Sequence, residues 1–542
     1  MGEVGHSQDC QSYYAADDPR LFDFLDTREA IDYTAFEGLT ITDIEPVVLP
    51  IFNENDPKEN YLLYRVANTL HIDTQNSTVT KKLTFQEQQQ LNERVIEENE
   101  RILRNSDYFS GAMIVPHRVC GDQIELLTVV RDVWTLSPSA SFSRAGGENT
   151  SDVGISESNL LGTGQSLAIG RFSNSDRSGV SASYGNDHLF GNHTELDISY
   201  SDNSDGHVKE LSLERPFYSL NSSTAAGIYY LHETRIDEIT NATETLNSFR
   251  TDIEKTEVYY GWSRGLINNT SRRWTVGLTD DTTSYYYIAA TQIAPPIDRR
   301  LRYPWLSFES IEDQYWTARN VSQIGRQEDI RLGAYWFARA GYASDAWGSN
   351  ENALIYHIRH QYTLSVGRHH LLQMTGGLNG RYNTDQNRAI SNLLTLETRY
   401  NHFIDKNNRW HARLRIDVAH NIDQNEQLTS GGDDNLRGYP NDTQRGDQRV
   451  LFTVERRHFS DWHIFNLIRV GAATYIDFGR TRDTQTPGAT NTVTLANVGA
   501  GLRFSSSKAS QGRVVHVDIA APLRNRRTVD RYQLLITGKS TF

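Results

Sequence analysis

Apolar and polar residues alternate along most of this chain, from residue 137 to its end. Between Arg409 and Val418 the odd positions are polar or charged, while the even positions carry a tryptophan and a row of aliphatic side chains. The same alternation recurs at 496–504 and at 515–523. Because successive side chains of a strand point to opposite faces, this pattern predicts β-strands with one apolar face and one polar face.

The polar face of the strand beginning at Arg409 also carries Arg413 and Arg415. A soluble sandwich does not normally bury such a face, whereas a barrel in lipid turns its apolar face outward and its polar face to a watery lumen. The pattern therefore predicts a transmembrane antiparallel β-barrel over residues 137–542. Short turns alternate with longer polar loops, as expected of two different rims, and this parse gives about twenty strands.

Residues 39–136 lack this long alternation, and their pattern predicts one small α+β domain. The expected order is strand, helix, helix, strand, strand, at Ile41–Phe52, Tyr61–Ile72, Glu87–Asn105, Gly111–Val119 and Gln123–Leu136. Residues 1–38 are acidic and lack a clear period. They are treated as an N-terminal extension without an assigned role.

Composition narrows the class of protein. Hydrophobic residues make up 37% of the 542 residues, mean hydropathy is −0.58, and no segment approaches the roughly 20 apolar residues of a spanning helix. An α-helical membrane protein is excluded, but a barrel of alternating strands is not. The 27 Tyr, 20 Phe and 9 Trp suit aromatic girdles. A net charge of −14 argues against a nucleic-acid partner.

No motif in the chain predicts an enzyme. The runs Gly154-Ile155-Ser156 and Gly179-Val180-Ser181 lack the strand, Gly-x-Ser-x-Gly and helix context of a hydrolase. The pair His369 and His370 has no third ligand at zinc spacing, and there is no phosphate-binding loop. We therefore expect no enzymatic activity, no cofactor and no metal.

The two cysteines, Cys10 and Cys120, are few for a chain of this length, as expected where stray thiols would be oxidised. They form a possible disulfide, but spacing leaves open whether they pair. No secretion signal is visible at Met1-Gly2-Glu3, so we expect an exported chain to be present here in its mature form.

One Gly- and Asp-rich segment, Gly431–Pro440, carries the strongest candidate chemistry. It contains Arg437, and the polar parity of the next two strands contains Glu455 and Asp477. If these strands close into a barrel, the polar parity is the lumen, and Arg437 could fold inward to hold both carboxylates by charge-assisted hydrogen bonds. The alternative is an outer loop with unrelated lumen charges.

These residues resemble the BamA/TamA superfamily of outer-membrane assembly and translocation proteins. The domain at 39–136 resembles a POTRA domain in its order of elements, and Val129–Leu136 resembles the join between such a domain and a barrel. Asn159–Gly164 resembles the family's turn between its second and third strands. The Arg437 loop, with Tyr475–Gly479 beyond it, resembles the family's inward-folded loop and its acidic acceptor.

The resemblance implies a bacterial outer-membrane location, with the POTRA-like domain in the periplasm. It implies a loop latch formed by Arg437, Gly438, Tyr439, Glu455, Asp477 and Gly479. It also implies a weakly paired seam between the first strand, Ser137–Arg144, and the last, Tyr532–Phe542, where client strands could be templated; the marked residues there are Ser137, Phe142, Tyr532, Gly538 and Phe542.

The implied partners are outer-membrane lipid, client outer-membrane or exported proteins, and periplasmic accessory proteins that add a strand to the POTRA-like domain. The chain departs from the family in two ways. Family barrels commonly have about sixteen strands, which is the alternative strand count here, and a single POTRA-like domain argues against a role as the central assembly machine. The alternative function is a channel or surface receptor on the same barrel without insertase activity.

Overall fold

The computed structural model describes residues 10–542 except for 28–30, 146–147, 175, 242–243, 424–427, 433–435, 485–492, 511–513, 525–528 and 540. Within this part of the chain, twenty antiparallel strands form a closed barrel, and a separate four-stranded sheet precedes it. The predicted barrel and its strand count are confirmed, and the sixteen-strand alternative is wrong. The segment Met1–Glu3 lies outside the described residues.

The elements preceding the barrel are β1 (Cys10–Ser12), α1 (Arg20–Thr27), β2 (Thr40–Leu49), α2 (Leu62–Leu70), α3 (Asn76–Lys82), α4 (Glu93–Arg104), β3 (Phe109–Cys120) and β4 (Gln123–Asp132). The first half of the barrel consists of β5 (Leu136–Ala145), β6 (Glu148–Glu157), β7 (Gln165–Ser173), β8 (Ser178–Asn186), β9 (Glu195–Asn203), β10 (Gly206–Arg215), β11 (Thr224–Asn241), β12 (Glu244–Ile267), β13 (Thr270–Tyr286) and β14 (Arg299–Glu312).

A small hairpin, β15 (Tyr315–Arg319) and β16 (Gln327–Arg331), follows β14. The barrel continues with β17 (Gly333–Ala343), β18 (Ala353–Val366), β19 (His370–Asn383), β20 (Arg388–Phe403) and β21 (Asn408–His420). A second small hairpin, β22 (Leu428–Ser430) and β23 (Gln444–Gly446), precedes the last five barrel strands: β24 (Gln448–Ile464), β25 (Ile468–Arg482), β26 (Leu495–Ser506), β27 (Val514–Pro522) and β28 (Gln533–Lys539).

The barrel wall reverses the burial pattern of a soluble protein. On β24, Val450 and Phe452 are exposed, while Glu455 and Arg457 are buried. On β25, Phe478 is exposed and Asp477 is fully buried. An apolar outer face around a polar interior is the arrangement that lipid outside and water inside require. None of the described helices is both long and apolar enough to cross a membrane.

The N-terminal sheet has the order β1-β3-β4-β2, with β2 parallel to β4. Its helix α4 packs Ile96 and Leu103 against Ile114 and Val130 of the sheet. The strands and the two helices predicted at 39–136 are present, while α1 and α3 were not predicted. We call residues 10–135 the N-terminal unit.

The boundary predicted at residue 38 is wrong, because the preceding segment belongs to this unit. Strand β1 pairs with β3. Leu21 of α1 is buried against Val115 and Leu127 of the sheet, and Tyr33 is buried in the cluster that contains α4. Burial of these apolar side chains on both faces of the sheet gives the former extension a structural role.

The N-terminal unit lies against the rim that carries the β8–β9 and β10–β11 turns. Lys82 lies 3.2 Å from Asp187 in the β8–β9 turn. The backbone N–H of Leu220, between β10 and β11, donates to Glu98 (2.7 Å). Arg104 pairs with Asp329 of the β15–β16 hairpin at 2.8 Å. Contacts to several turns of one rim place the unit at a single end of the barrel.

Cys10 and Cys120, which stand opposite each other in the β1–β3 pair, form a disulfide. The bond joins residues 110 positions apart in the sequence. Because β1 is only three residues long and exposed, the covalent link is the firmest attachment of this edge strand to the sheet.

We expect the double variant Cys10→Ser, Cys120→Ser to lose about 2–4 kcal/mol in the free energy of unfolding of the N-terminal unit, because the unfolded chain gains conformational freedom. Urea unfolding of the detergent-solubilised protein measures this loss. Reductant should lower the stability of the parent chain by a similar amount and leave the double variant unchanged. A parent chain insensitive to reductant would contradict the prediction.

Candidate functional site

The connection between β21 and β24 folds into the barrel. Hairpin β22–β23 forms its base. At the tip, the N–H of Tyr439 donates to the carbonyl of Leu436 (3.0 Å), and the N–H of Gly432 donates to that of Tyr439 (3.0 Å). The segment 433–435 (Asp433, Asp434 and Asn435) lies outside the described residues. Residues 436–439 thus form a turn that directs Arg437 inward.

An apolar cluster holds this turn against the inner wall. Leu436 and Tyr439 are fully buried together with Leu451 of β24 and Leu495 of β26. The Tyr439 hydroxyl lies 2.8 Å from the carbonyl oxygen of Ala496 and 2.8 Å from that of Arg524. The loop is therefore attached to the wall on either side of Arg437.

Two glycines allow the close approach of loop and wall. A Cβ at Gly438 would lie 2.5 Å from the Cβ of Asn497, and one at Gly479 would lie 2.8 Å from Leu451 and 2.9 Å from Leu436. A side chain at Gly438 would collide with the Cβ of Asn497, so this position requires glycine for packing, whereas one at Gly479 would have to displace the two leucine side chains.

Arg437 binds both carboxylates that the strand parity placed in the lumen. Its Nε donates to Asp477 Oδ2 (2.9 Å) and its Nη2 donates to Asp477 Oδ1 (2.7 Å). Its Nη1 lies 2.8 Å from Glu455 Oε1. This bidentate contact with one acid and single contact with another uses the planar fork that distinguishes arginine from lysine.

Neighbouring side chains complete the cluster. The Arg437 guanidinium lies 3.2 Å from the centre of the Tyr475 ring. Asp477 accepts further hydrogen bonds from Thr453 (2.9 Å) and Asn497 (2.8 Å). Arg457 pairs with Glu455 at 2.6 Å. Two guanidinium groups therefore face two carboxylates, and the buried charges balance.

The sequence analysis assigned no role to the four supporting residues, Thr453, Arg457, Tyr475 and Asn497. The signal was present, because Thr453 and Arg457 share the inward parity of Glu455, and Tyr475 shares that of Asp477. What was missing was the registry between strands. It places Thr453 opposite Asp477 and Asp477 opposite Asn497.

The barrel closes between β5 and β28 through one aligned pair among the described residues, Ile536 opposite Arg144. The neighbouring β27–β28 pair aligns seven positions, from Val514 opposite Lys539 to Ala520 opposite Gln533. Of the predicted seam residues, Ser137 and Phe142 lie in β5, Gly538 lies in β28, and Tyr532 directly precedes it.

At one end of the seam, the chain just before β5 is held by the β26–β27 turn. The N–H of Trp134 donates to the carbonyl of Lys508 (2.7 Å), and the N–H of Ser510 donates to the carbonyl of Trp134 (3.2 Å). This rim-side bridge spans the position where β5 meets β28.

Phe542 was predicted as a seam residue, and this is wrong. The residue lies beyond β28 and is buried inside the barrel end, with its ring 4.3 Å from that of Phe459. Its N–H donates to the carbonyl of Ser322 (2.6 Å). An aromatic ring in a polar lumen gains by packing on Phe459 and beside the cations Arg457 and Arg503.

Ser322 belongs to the β15–β16 hairpin, which the sequence analysis missed. The hairpin inserts into the barrel end next to the N-terminal unit, where Arg409 of β21 donates to the carbonyl of Asn320. Glu328 accepts the N–H groups of Val321 and Ser322 and so orders the tip. This rim was expected to carry only short turns, but residues 313–332, which include the hairpin, join β14 to β17.

Among the described residues, one group has potential metal-ligand atoms close together: His71, Asp73 and Asp132. The Asp132 carboxylate already accepts hydrogen bonds from the N–H (2.9 Å) and hydroxyl (2.7 Å) of Thr74 and lies 3.0 Å from His71. These contacts give Asp132 a structural role at the start of α3.

No protein-family model and no curated protein matches this chain. The chain is similar to the solved structure of BamA from Haemophilus ducreyi lacking POTRA domains 1–3, with 13% sequence identity, coverage of 92% of this chain and 84% of that chain, and a TM-score of 0.37. It is similar to CdiB from Escherichia coli, with 12% identity, coverage of 94% of this chain and 78% of that chain, and a TM-score of 0.45. It is also similar to CdiB from Acinetobacter baumannii, with 10% identity, coverage of 97% of this chain and 92% of that chain, and a TM-score of 0.44. BamA is among the solved structures to which this chain is similar. With TM-scores below 0.5, these likenesses do not carry over an activity.

Arg437→Ala should destabilise the barrel by about 3–5 kcal/mol, because it leaves two buried carboxylates without their partner. The temperature at which the compact, fast-migrating form unfolds on a detergent gel measures this loss. Arg399→Ala is the matched control, since Arg399 pairs with Glu397 at 2.6 Å but is half exposed; its loss should stay within about 1 kcal/mol. Equal losses would contradict the latch.

Charge reversal at Asp477, by Asp477→Lys, should reproduce the defect of Arg437→Ala. The double variant Arg437→Ala, Asp477→Ala should be less destabilised than the sum of the single alanine variants, with a coupling energy of about 1–3 kcal/mol. The same gel assay supplies all four values. Additive losses would show that the two side chains do not share a contact.

Proposed function

We propose that this protein is an outer-membrane barrel factor that assists the insertion or translocation of client proteins, with the N-terminal unit acting as a POTRA-like domain in the periplasm. The seam carries the proposal. Among the described residues, β5 and β28 share one aligned pair, whereas β27 and β28 share seven and β5 and β6 share ten.

A poorly paired seam supplies what strand insertion needs. Backbone N–H and C=O groups that lack a partner along a strand edge accept another strand readily. A client segment can therefore pair with β5 or β28 by strand addition. Gly538 in β28 lowers the cost of separating the two strands, because glycine adds no side-chain packing.

The Arg437 cluster supports control of this seam. It connects the inward loop to β24 and β25, and Tyr439 extends the contacts to β26 and to Arg524, which follows β27. The strands leading to the seam are thus held in one arrangement by a single loop. We propose that movement of this loop changes how tightly β28 is held.

Two elements enter the lumen, the Arg437 loop from one rim and the β15–β16 hairpin from the other, and both contact the inner wall. We propose that they narrow the path that a steady channel or receptor pore would need. The proposed mechanism requires no cofactor and no covalent chemistry.

A disulfide across the seam, introduced by Arg144→Cys and Ile536→Cys, should abolish client insertion while leaving the barrel folded, because β5 and β28 can no longer separate. The measurement is the rate at which a radiolabelled outer-membrane protein folds into vesicles containing the variant. Reduction should restore the rate to that of the parent chain.

The matched control joins the same residue to its other neighbour, by Val517→Cys and Ile536→Cys, since Val517 stands opposite Ile536 in β27. This second bond should leave the insertion rate unchanged. Insertion at the parent rate by the seam-tethered variant would overturn the role of the seam. If vesicles containing the parent chain insert clients no faster than empty vesicles and conduct ions steadily, the channel function replaces the one proposed.

A further inference from the structure

Helix α2 turns an apolar face away from the protein. Leu62, Val66 and Leu70 recur every four residues, with Leu63 beside them, and their exposed fractions are 71%, 44%, 69% and 69%. Residues at this spacing lie on one face of a helix. Contiguous exposed apolar surface of this kind marks an interaction site in a folded protein.

Contacts made by the other side of α2 fix the direction in which the apolar face points. Tyr64 is buried, with its ring stacked 4.4 Å from that of Phe52, and Ala67 packs into the same cluster. Asn68 donates to the carbonyl of Phe52 (3.0 Å). Because one side of the helix is fixed on the N-terminal unit, the leucine face cannot turn inward without breaking these contacts.

The helix also adjoins the outer surface of the barrel. The Tyr64 hydroxyl donates to the carbonyl of Phe465, in the β24–β25 turn, and the Asn466 side chain donates to the carbonyl of Lys58 (3.1 Å). Phe465 is 77% exposed, and nearby Trp462 is 71% exposed. The apolar face of α2 therefore lies beside the end of the barrel's apolar outer band.

The apolar face of α2 and the exposed rings of Trp462 and Phe465 both match the chemistry of a bilayer surface. Tryptophan and other aromatic side chains collect where a barrel leaves the hydrocarbon layer. A helix with an apolar face and a polar remainder lies in that same interfacial layer. Lys58, at the edge of this region, can meet lipid phosphates.

We propose that α2 docks on the lipid leaflet next to the N-terminal unit, immersing Leu62, Leu63, Val66 and Leu70 beside Trp462 and Phe465. The occupant of this face is a phospholipid surface, because the face continues a surface that already contacts lipid in any membrane barrel. The inference rests on the barrel spanning a membrane and goes beyond the client role proposed above.

Fluorescence quenching tests the proposal in the full chain, reconstituted in nanodiscs of phosphatidylethanolamine and phosphatidylglycerol. Leu70→Cys carries an environment-sensitive probe, and Arg65→Cys, exposed on another side of α2, is the matched control. The native cysteines are joined, so the added thiol is the one to label. Spin-labelled phospholipids should quench the probe at 70 about threefold more than the probe at 65, with aqueous iodide showing the reverse order.

Two further variants distinguish failure of the docking proposal from failure of the proposed function. Leu62→Asp should lower lipid quenching at position 70 towards the value at 65, while the gel mobility of the barrel stays unchanged. A probe at Phe452→Cys, on the outer wall, must be quenched by lipid; if it is not, the barrel itself is not in the bilayer and the proposed function fails too.

Equal lipid quenching at 65 and 70, with position 452 quenched, would overturn the docking proposal alone. A probe at 70 that is shielded from iodide yet insensitive to spin-labelled lipid would also overturn it, since a protein surface would then cover the helix. If lipid quenching holds but the parent chain does not accelerate client insertion, the docking stands and the proposed client role falls.

Discussion

The inward fold of the loop between β21 and β24 depends on how the buried guanidinium of Arg437 is paired inside the barrel. A lone buried arginine would be very costly, and so would either carboxylate without it. The Arg437 cluster avoids the cost by geometry: a bidentate contact with Asp477, a single contact with Glu455, a tyrosine ring against the cation, and a second arginine to balance the second acid. Each contact requires the loop to be folded inward, so the loop position and the charge balance determine each other.

That interdependence links distant parts of the chain. Loop residues 436–439 gain burial from strands β24 and β26, while Asp477 on β25 receives hydrogen bonds from both neighbouring strands. The last strands of the barrel, the ones that lead to the weakly paired seam, thus share one polar and apolar core. A change in that core is felt along the strands, because packed interiors shift between discrete arrangements and do not deform continuously.

Alternation alone was enough to predict much of this arrangement. It gave the barrel, its strand number and the inward parity of Glu455 and Asp477, because a period of two maps directly onto two faces. It could not give the positions of Asn497 and Tyr475 relative to Arg437, since those follow from strand registry. Strand β1 is too short to show any period, and the burial of Phe542 depends on a hairpin that breaks the rule of short turns on that rim.

The rim-side bridge made by Trp134 has a mechanical meaning. Its backbone joins the chain entering β5 to the turn after β26, next to the N-terminal unit. The aligned pair of the seam, Ile536 opposite Arg144, lies near the other end of β5. The bridge and this pair therefore bound the stretch 136–143 of β5, and in the proposed function a client strand would pair with this stretch between two fixed points.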